Sequence, residues 1–143
     1  FQHYTKFGKK EGKIILRRSM ISEIDFDNKY SKTMAYVISH RYEIDRKTEI
    51  PINCEDTENW RKSFLEQVKN RTDFLTSVKV NGSFYSGFVK DVDEDFFMLH
   101  CIGTDGEDKG NIIFRIEDVT EFSFDDREDR KTLMLYQWKS KKQ

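Results

Sequence analysis

The sequence predicts an all-β chain with one helix, arranged as two small β-barrels in tandem. Three observations carry this. One 17-residue segment is written twice, short apolar runs of period two follow one another from Phe74 to Asp126, and a single amphipathic helical stretch precedes them.

The repeat comes first. Gly12 to Asn28 reads GKIILRRSMISEIDFDN, and Gly110 to Asp126 reads GNIIFRIEDVTEFSFDD; seven of the 17 positions are identical without a gap. Five more are close exchanges: Leu16 for Phe114, Ile21 for Val119, Ser22 for Thr120, Ile24 for Phe122 and Asn28 for Asp126. One inserted residue then aligns Lys32-Thr33-Met34 with Lys131-Thr132-Leu133. Both copies run into strand-like segments, MAYVISHRY and LMLYQWK. From its helix onward the second copy has about 50 residues ahead of Gly110, whereas only 11 stand ahead of Gly12. The first copy is therefore expected to be incomplete here, its helix and first strands missing, disordered or supplied by another chain. The opening Phe1, in place of Met, predicts a shortened N-terminus. Residues 1–50 form the partial first barrel in this reading, 51–56 a linker marked by Pro51, and 57–143 the second barrel.

The elements follow in order. Asp56-Thr57-Glu58 supplies cap and first-turn acids for a helix over 57–70. Trp60, Phe64, Leu65 and Val68 fall at i, i+4, i+5 and i+8, which makes one apolar face. Val78 and Val80 alternate with Lys79 in a first strand, and Asn81-Gly82 is a hairpin turn. Phe84 to Val92 is a second strand, with Gly87 where a small barrel bends. Phe96 to Ile102 (FFMLHCI) is a third, apolar enough for burial on both faces. Asn111–Arg115 and Val119–Phe124 are the fourth and fifth, and Leu133–Trp138 a sixth. Five short strands joined by tight turns predict a closed or nearly closed barrel, since closure removes aggregation-prone edges.

Composition bounds the function. The chain has 143 residues, a net charge of -1, 36% charged and 14% aromatic residues. The aromatic share suffices for a core. Residues 1–72 carry 15 Lys+Arg against 11 Asp+Glu, and residues 73–143 carry 10 against 15. A polyanion is repelled by the second half on average. Cys54 and Cys101 read as reduced thiols of a cytoplasmic protein, and His3, His40 and His100 are too scattered for a zinc site. No metal or other cofactor is expected. No apolar run approaches the ~20 residues that span a bilayer, so no membrane partner is expected.

The spacing Val78-x-Val80-x-Gly82, then Tyr85-x-Gly87-x-Val89-x-x-Val92-Asp93, then Phe96 and Leu99, resembles the first signature of the Sm-like (Lsm, Hfq-related) family. Ile112-Ile113-Phe114-Arg115 followed by Val119 is similar to its second. SH3-like and Tudor-like barrels share the strand pattern. The resemblance covers residues 56–126 and, through the repeat, part of 1–27. It implies a non-catalytic protein that oligomerises through strand edges and associates with single-stranded RNA, with Gly82, Gly87, Asp93 and Arg115 at motif positions. Two departures weigh toward a protein partner instead. Phe96 and Phe97 stand where the family's RNA-binding loop has Met and Asn, and Arg115 is followed by Ile116-Glu117-Asp118 in place of Gly.

Individual clusters add little chemistry. Asp91, Asp93, Glu94 and Asp95 lack the Gly and distal Glu of a calcium loop and read as a solvated turn. The acids between Gly103 and Gly110 do not suit a phosphate cradle. His100 and Cys101 are adjacent on a strand and point to opposite faces, so they do not pair as base and nucleophile. Lys9, Lys10, Lys13, Arg17 and Arg18, with Tyr4 beside them, form the densest basic stretch; it reads either as an RNA-contacting surface or as an exposed strand and turn whose Lys residues serve solubility and protect an edge. Lys139, Lys141 and Lys142 form a basic tail, expected to be a frayed terminus.

Overall fold

The computed structural model describes residues 1–46, 49–54 and 57–142. Asp56, expected in the helix cap, lies outside the described residues. The chain forms two compact units, Phe1–Arg46 and Lys47–Gln143. Part of the expected linker belongs to the second unit. Ile50 and Ile52 pack on its core, and Asn53 exchanges two 2.8 Å hydrogen bonds with Gln67.

In the first unit, β1 (Gln2–Tyr4) and β2 (Lys10–Lys13) form an antiparallel hairpin. A 3-10 turn at Arg18–Met20 follows, then α1 (Lys29–Ser39) and the short α2 (Arg41–Ile44). The strand expected from MAYVISHRY is thus helical. The cause is a capping box: Ser31 N–H donates to Asn28 Oδ1 at 2.8 Å, and Asn28 N–H donates to Ser31 Oγ at 3.0 Å. Val37 and Ile44 are the buried apolar residues of the two helices.

In the second unit, α3 (Trp60–Val68) precedes β3 (Thr76–Val80), β4 (Ser83–Val92), β5 (Phe96–Ile102), β6 (Asp108–Arg115) and β7 (Val119–Phe124), and α4 (Arg127–Ser140) closes the chain. The sheet order is β6-β5-β4-β3-β7, antiparallel throughout. Asn81 and Gly82 have φ of 50° and 80°, so the β3–β4 turn carries positive φ at both central residues, as its Asn-Gly sequence demands. The expected closure does not form. The 3-10 turn at Ile116–Asp118 swings β7 onto β3, and β6 and β7 end as the two sheet edges.

The expected sixth strand is also overturned, because residues 133–138 lie within α4. Asp126 accepts the Asp129 N–H at 2.8 Å, and Glu128 and Asp129 complement the first turn. That helix takes in Lys139, expected in a frayed tail. With α1, α2 and α4, the chain is mostly β with more helix than the single one expected.

The sheet is buried unequally on its two faces. Phe64, Leu65 and Val68 of α3 meet Val78, Val80, Val89, Phe97, Leu99 and Cys101 in the main core. On the other face a smaller cluster joins Leu75, Phe88 and Ile102 to Leu133 and Tyr136 of α4. Burial along β5 therefore alternates: Phe97, Leu99 and Cys101 are buried, whereas Phe96 is 40% exposed and Met98 and His100 are half-buried. Burial of this strand on both faces is not found, since α4 covers only its C-terminal end.

The repeat is visible in the backbone. The pairs Gln2↔Lys13 and Tyr4↔Lys10 recur as His100↔Asn111 and Ile102↔Asp108, each number raised by 98, with an irregularity at the same place. The same shift relates Gly8 to Gly106, Gly12 to Gly110 and Asp27 to Asp125, all at positive φ. It relates the 3-10 turns Arg18–Met20 and Ile116–Asp118, and the caps Asn28 and Asp126. A methyl on Gly8 would meet the α1 backbone at Val37–Ile38, and one on Gly106 the α4 backbone at Leu135–Tyr136, again 98 apart. The one-residue insertion expected after Asn28 is thus not present: cap and glycine contact hold both helices in one phase. Strand pairing differs between the copies. Ile14–Arg17 and Ile21–Phe26 form no strand, whereas their counterparts lie in β6 and β7.

Candidate functional site

The four residues at family-motif positions shape backbone and surface. Gly82 completes the β3–β4 turn. Gly87 sits where any Cβ would fall on the His100 carbonyl of the neighbouring strand, so only glycine lets β4 and β5 approach there. Asp93 accepts N–H bonds from Asp95 at 2.9 Å and Phe96 at 2.7 Å. The Phe96 N–H, then that of Asp95, hold its carboxyl below the usual carboxylate range. Arg115 lies 5.2 Å from the Phe96 ring centroid and 3.4 Å from Glu117.

Around this loop each cation has an engaged partner. Lys62 Nζ donates to Glu94 at 2.5 Å, which raises the lysine pKa, and Arg61 Nε donates to the Val119 carbonyl at 2.7 Å. Glu58, Asp95 and Glu117 share the same shallow cleft with Arg61, Lys62 and Arg115. Each of its three cations already engages an acceptor and its rim is acidic, a poor match to a phosphate chain.

The neighbouring surface is apolar. Phe96, Met98 and Ile113 lie on the sheet face beyond the reach of α4, where Met98 and Ile113 are cross-strand partners. They line a hollow of about 180 Å³ with Val92 and Asp91. Ile113 is 67% exposed on β6, an edge strand whose outer side has no partner strand among the described residues. An exposed β-branched residue on an open edge favours pairing with another strand. Sequence reading placed Ile113 in a family motif but missed the surface, since it took β5 as wholly buried. No local signal marks it, because its exposure depends on how far α4, a helix in place of the expected strand, reaches across the sheet.

The basic stretch lies in the first unit. Lys10, Lys13, Arg17 and Arg18 are exposed on and after β2, and Tyr4 is half-buried on β1. Lys9 is drawn away by Asp45 at 2.8 Å, so the expected cluster loses one member. Lys10 and Lys13 share β2, and the positive φ of Gly12 between them is the backbone irregularity inside the cluster.

Cys101 is buried in the main core, and burial raises its thiol pKa. His100 lies on the other face, with Nε2 2.9 Å from Asp108 Oδ2. The Gly110 N–H, then His100, lower the Asp108 pKa. The pair ties β5 to β6 at their bulged end. The acidic turn serves structure through Asp93, and the Gly103–Gly110 loop serves it through Gly106, pressed on α4.

No family model, curated protein or solved structure matches this chain.

Proposed function

We propose that the chain is a non-catalytic Sm-like assembly protein that associates through the edges of its second-unit sheet. The observation that carries this is Ile113, 67% exposed on the open edge strand β6 beside Phe96 and Met98. A helix followed by five antiparallel strands, the fifth returning to the first in an open sheet, supports the Sm-like reading of the motif residues. The repeated register supports the tandem reading. Edge strands with apolar faces add neighbours by main-chain hydrogen bonds, and side chains set the fit. Sedimentation velocity of the full chain tests the proposal. An assembly larger than a monomer at about 50 μM, reduced to monomer by Ile113→Lys with unchanged circular dichroism, is the expected result; micromolar association corresponds to about -8 kcal/mol. A wild-type chain that sediments as a monomer throughout overturns it.

A second reading has its own observation. Lys10, Lys13, Arg17 and Arg18 are exposed and Tyr4 pairs with Lys10 across the hairpin, which suits contact with single-stranded RNA through phosphate and stacking. The purified chain would then carry nucleic acid, read as an absorbance ratio at 260 and 280 nm. A protein partner in place of RNA is the outcome if that ratio is that of protein alone.

A further inference from the structure

The two units place equivalent residues in opposite surroundings. In the second unit Val119 is fully buried, Phe122 stacks on Phe64 at 4.5 Å, and Phe124 lies 5.7 Å from Phe64 and 5.8 Å from Phe74. Those residues pair with β3 and are covered by α3. Their counterparts 98 positions earlier are Ile21, Ile24 and Phe26. Ile24 is 68% exposed and Phe26 79% exposed, and Leu16, which matches Phe114, is 49% exposed. The turn, cap and glycine–helix contact are nevertheless the same in both units. The first unit thus leaves an apolar segment outside any strand where the second unit has β6 and β7, and the second unit shows what a partner for it looks like. It is an amphipathic helix followed by an antiparallel hairpin, of the kind formed by Trp60–Val92.

We infer that the face made by Leu16, Ile21, Ile24 and Phe26 is a docking surface for such a helix–hairpin segment, contributed from outside these 143 residues. A second copy of the chain does not fill this role. Each chain holds two receiving faces and one helix–hairpin, and that one is already engaged with its own β7 and core. The partner's first strand is expected to carry an apolar residue at every second position, as Val78 and Val80 do. The inference rests on the shared register and not on edge assembly through Ile113, so the two stand or fall separately.

The test is a full chain carrying residues 57–98 of this sequence directly ahead of Phe1. In the shared register Phe1 takes the place of Leu99, so that junction continues the strand without a linker. Hydrogen exchange followed by mass spectrometry should show amides 21–26 exchanging at least about tenfold more slowly than in the unextended chain. Val78→Asp with Val80→Asp in the added segment alone should abolish the gain. The same 57–98 polypeptide, added as a separate molecule to the unextended chain, gives a second route to the same readout. Slowed exchange in either format supports the inference. Unchanged exchange in both overturns it, as does an unextended chain whose 21–26 amides are already protected in a dimer.

Discussion

Asp129 on α4 accepts a hydrogen bond from Ser77 on β3 at 3.0 Å, across 52 residues of chain. Ser86 approaches the same Oδ1 at 3.4 Å, and Oδ2 is buried without a hydrogen-bond partner among the described residues. Burial first, then the charge of Asp126, raises the Asp129 pKa to about 6. An acid titrating higher when folded binds its proton more tightly in the native state. Its ionisation therefore weakens the fold as pH rises from about 4 to about 6, by about 3 kcal/mol once complete.

Asp129→Asn should remove that dependence. Urea titrations at pH 4 and pH 7 would give a wild-type chain that loses stability between them relative to the variant. Asp93 and Asp108, whose pKa values are lowered, act in the opposite sense at lower pH in both proteins. Parallel curves for wild type and variant would refute the assignment.

Gly106→Ala should destabilise the second unit by about 2–4 kcal/mol, because a methyl there lies 2.5 Å from Tyr136 N and φ is +81°. Gly8→Ala should act likewise on the first unit, against Ile38 Cα at 2.8 Å. Chemical denaturation followed by hydrogen exchange localises each effect to its own unit. Gly82→Ala, with open space around the added carbon, should cost only about 1 kcal/mol, from its positive φ.

Equivalent residues should show unequal sensitivity. Phe122→Ala should cost about 3 kcal/mol, since the ring is stacked on Phe64 and edge-on to Trp60. Ile24→Ala should change stability by less than about 0.5 kcal/mol, because Ile24 is 68% exposed. Thermal melts of the two variants provide the comparison, and equal losses would contradict the placement of Ile24.

Lys10→Glu with Arg17→Glu should reduce binding to single-stranded RNA and flatten its salt dependence, if the basic stretch is the contact surface. Each lost phosphate contact lowers the slope of log K against log salt by roughly 0.7. Lys9 is left in place because Asp45 already engages it. Fluorescence anisotropy with a labelled oligonucleotide between 50 and 200 mM salt reads the slope.

Turn chemistry was the most legible part of the sequence. Asn81-Gly82 fixed one hairpin, and Phe96–Ile102 was bounded correctly, because alternation and glycine are local signals. The helices α1 and α4 were misread as strands. Their apolar runs, MAYVIS and LMLYQW, are short enough to fit either period. The deciding signals lay just upstream in Asn28-x-x-Ser31 and Asp126-x-x-Asp129, where caps satisfy the first free N–H groups. Exposure of Ile113 and of 14–26 could not be read from periodicity, because it depends on which distant element covers each face. The polar contact between Asp129 and Ser77 has the same character: neither residue carries a local sign of the other.

The return of β7 to β3, which pairs Phe124 with Thr76, has a kinetic consequence. The meander from β3 to β6 grows through neighbouring hairpins, each closing a short loop. The β3–β7 ladder must wait until that meander has brought distant segments together, at the entropic cost of a long closure. Mutations in β7 should then accelerate unfolding more than they slow refolding, and this strand should be the first of the five to peel away.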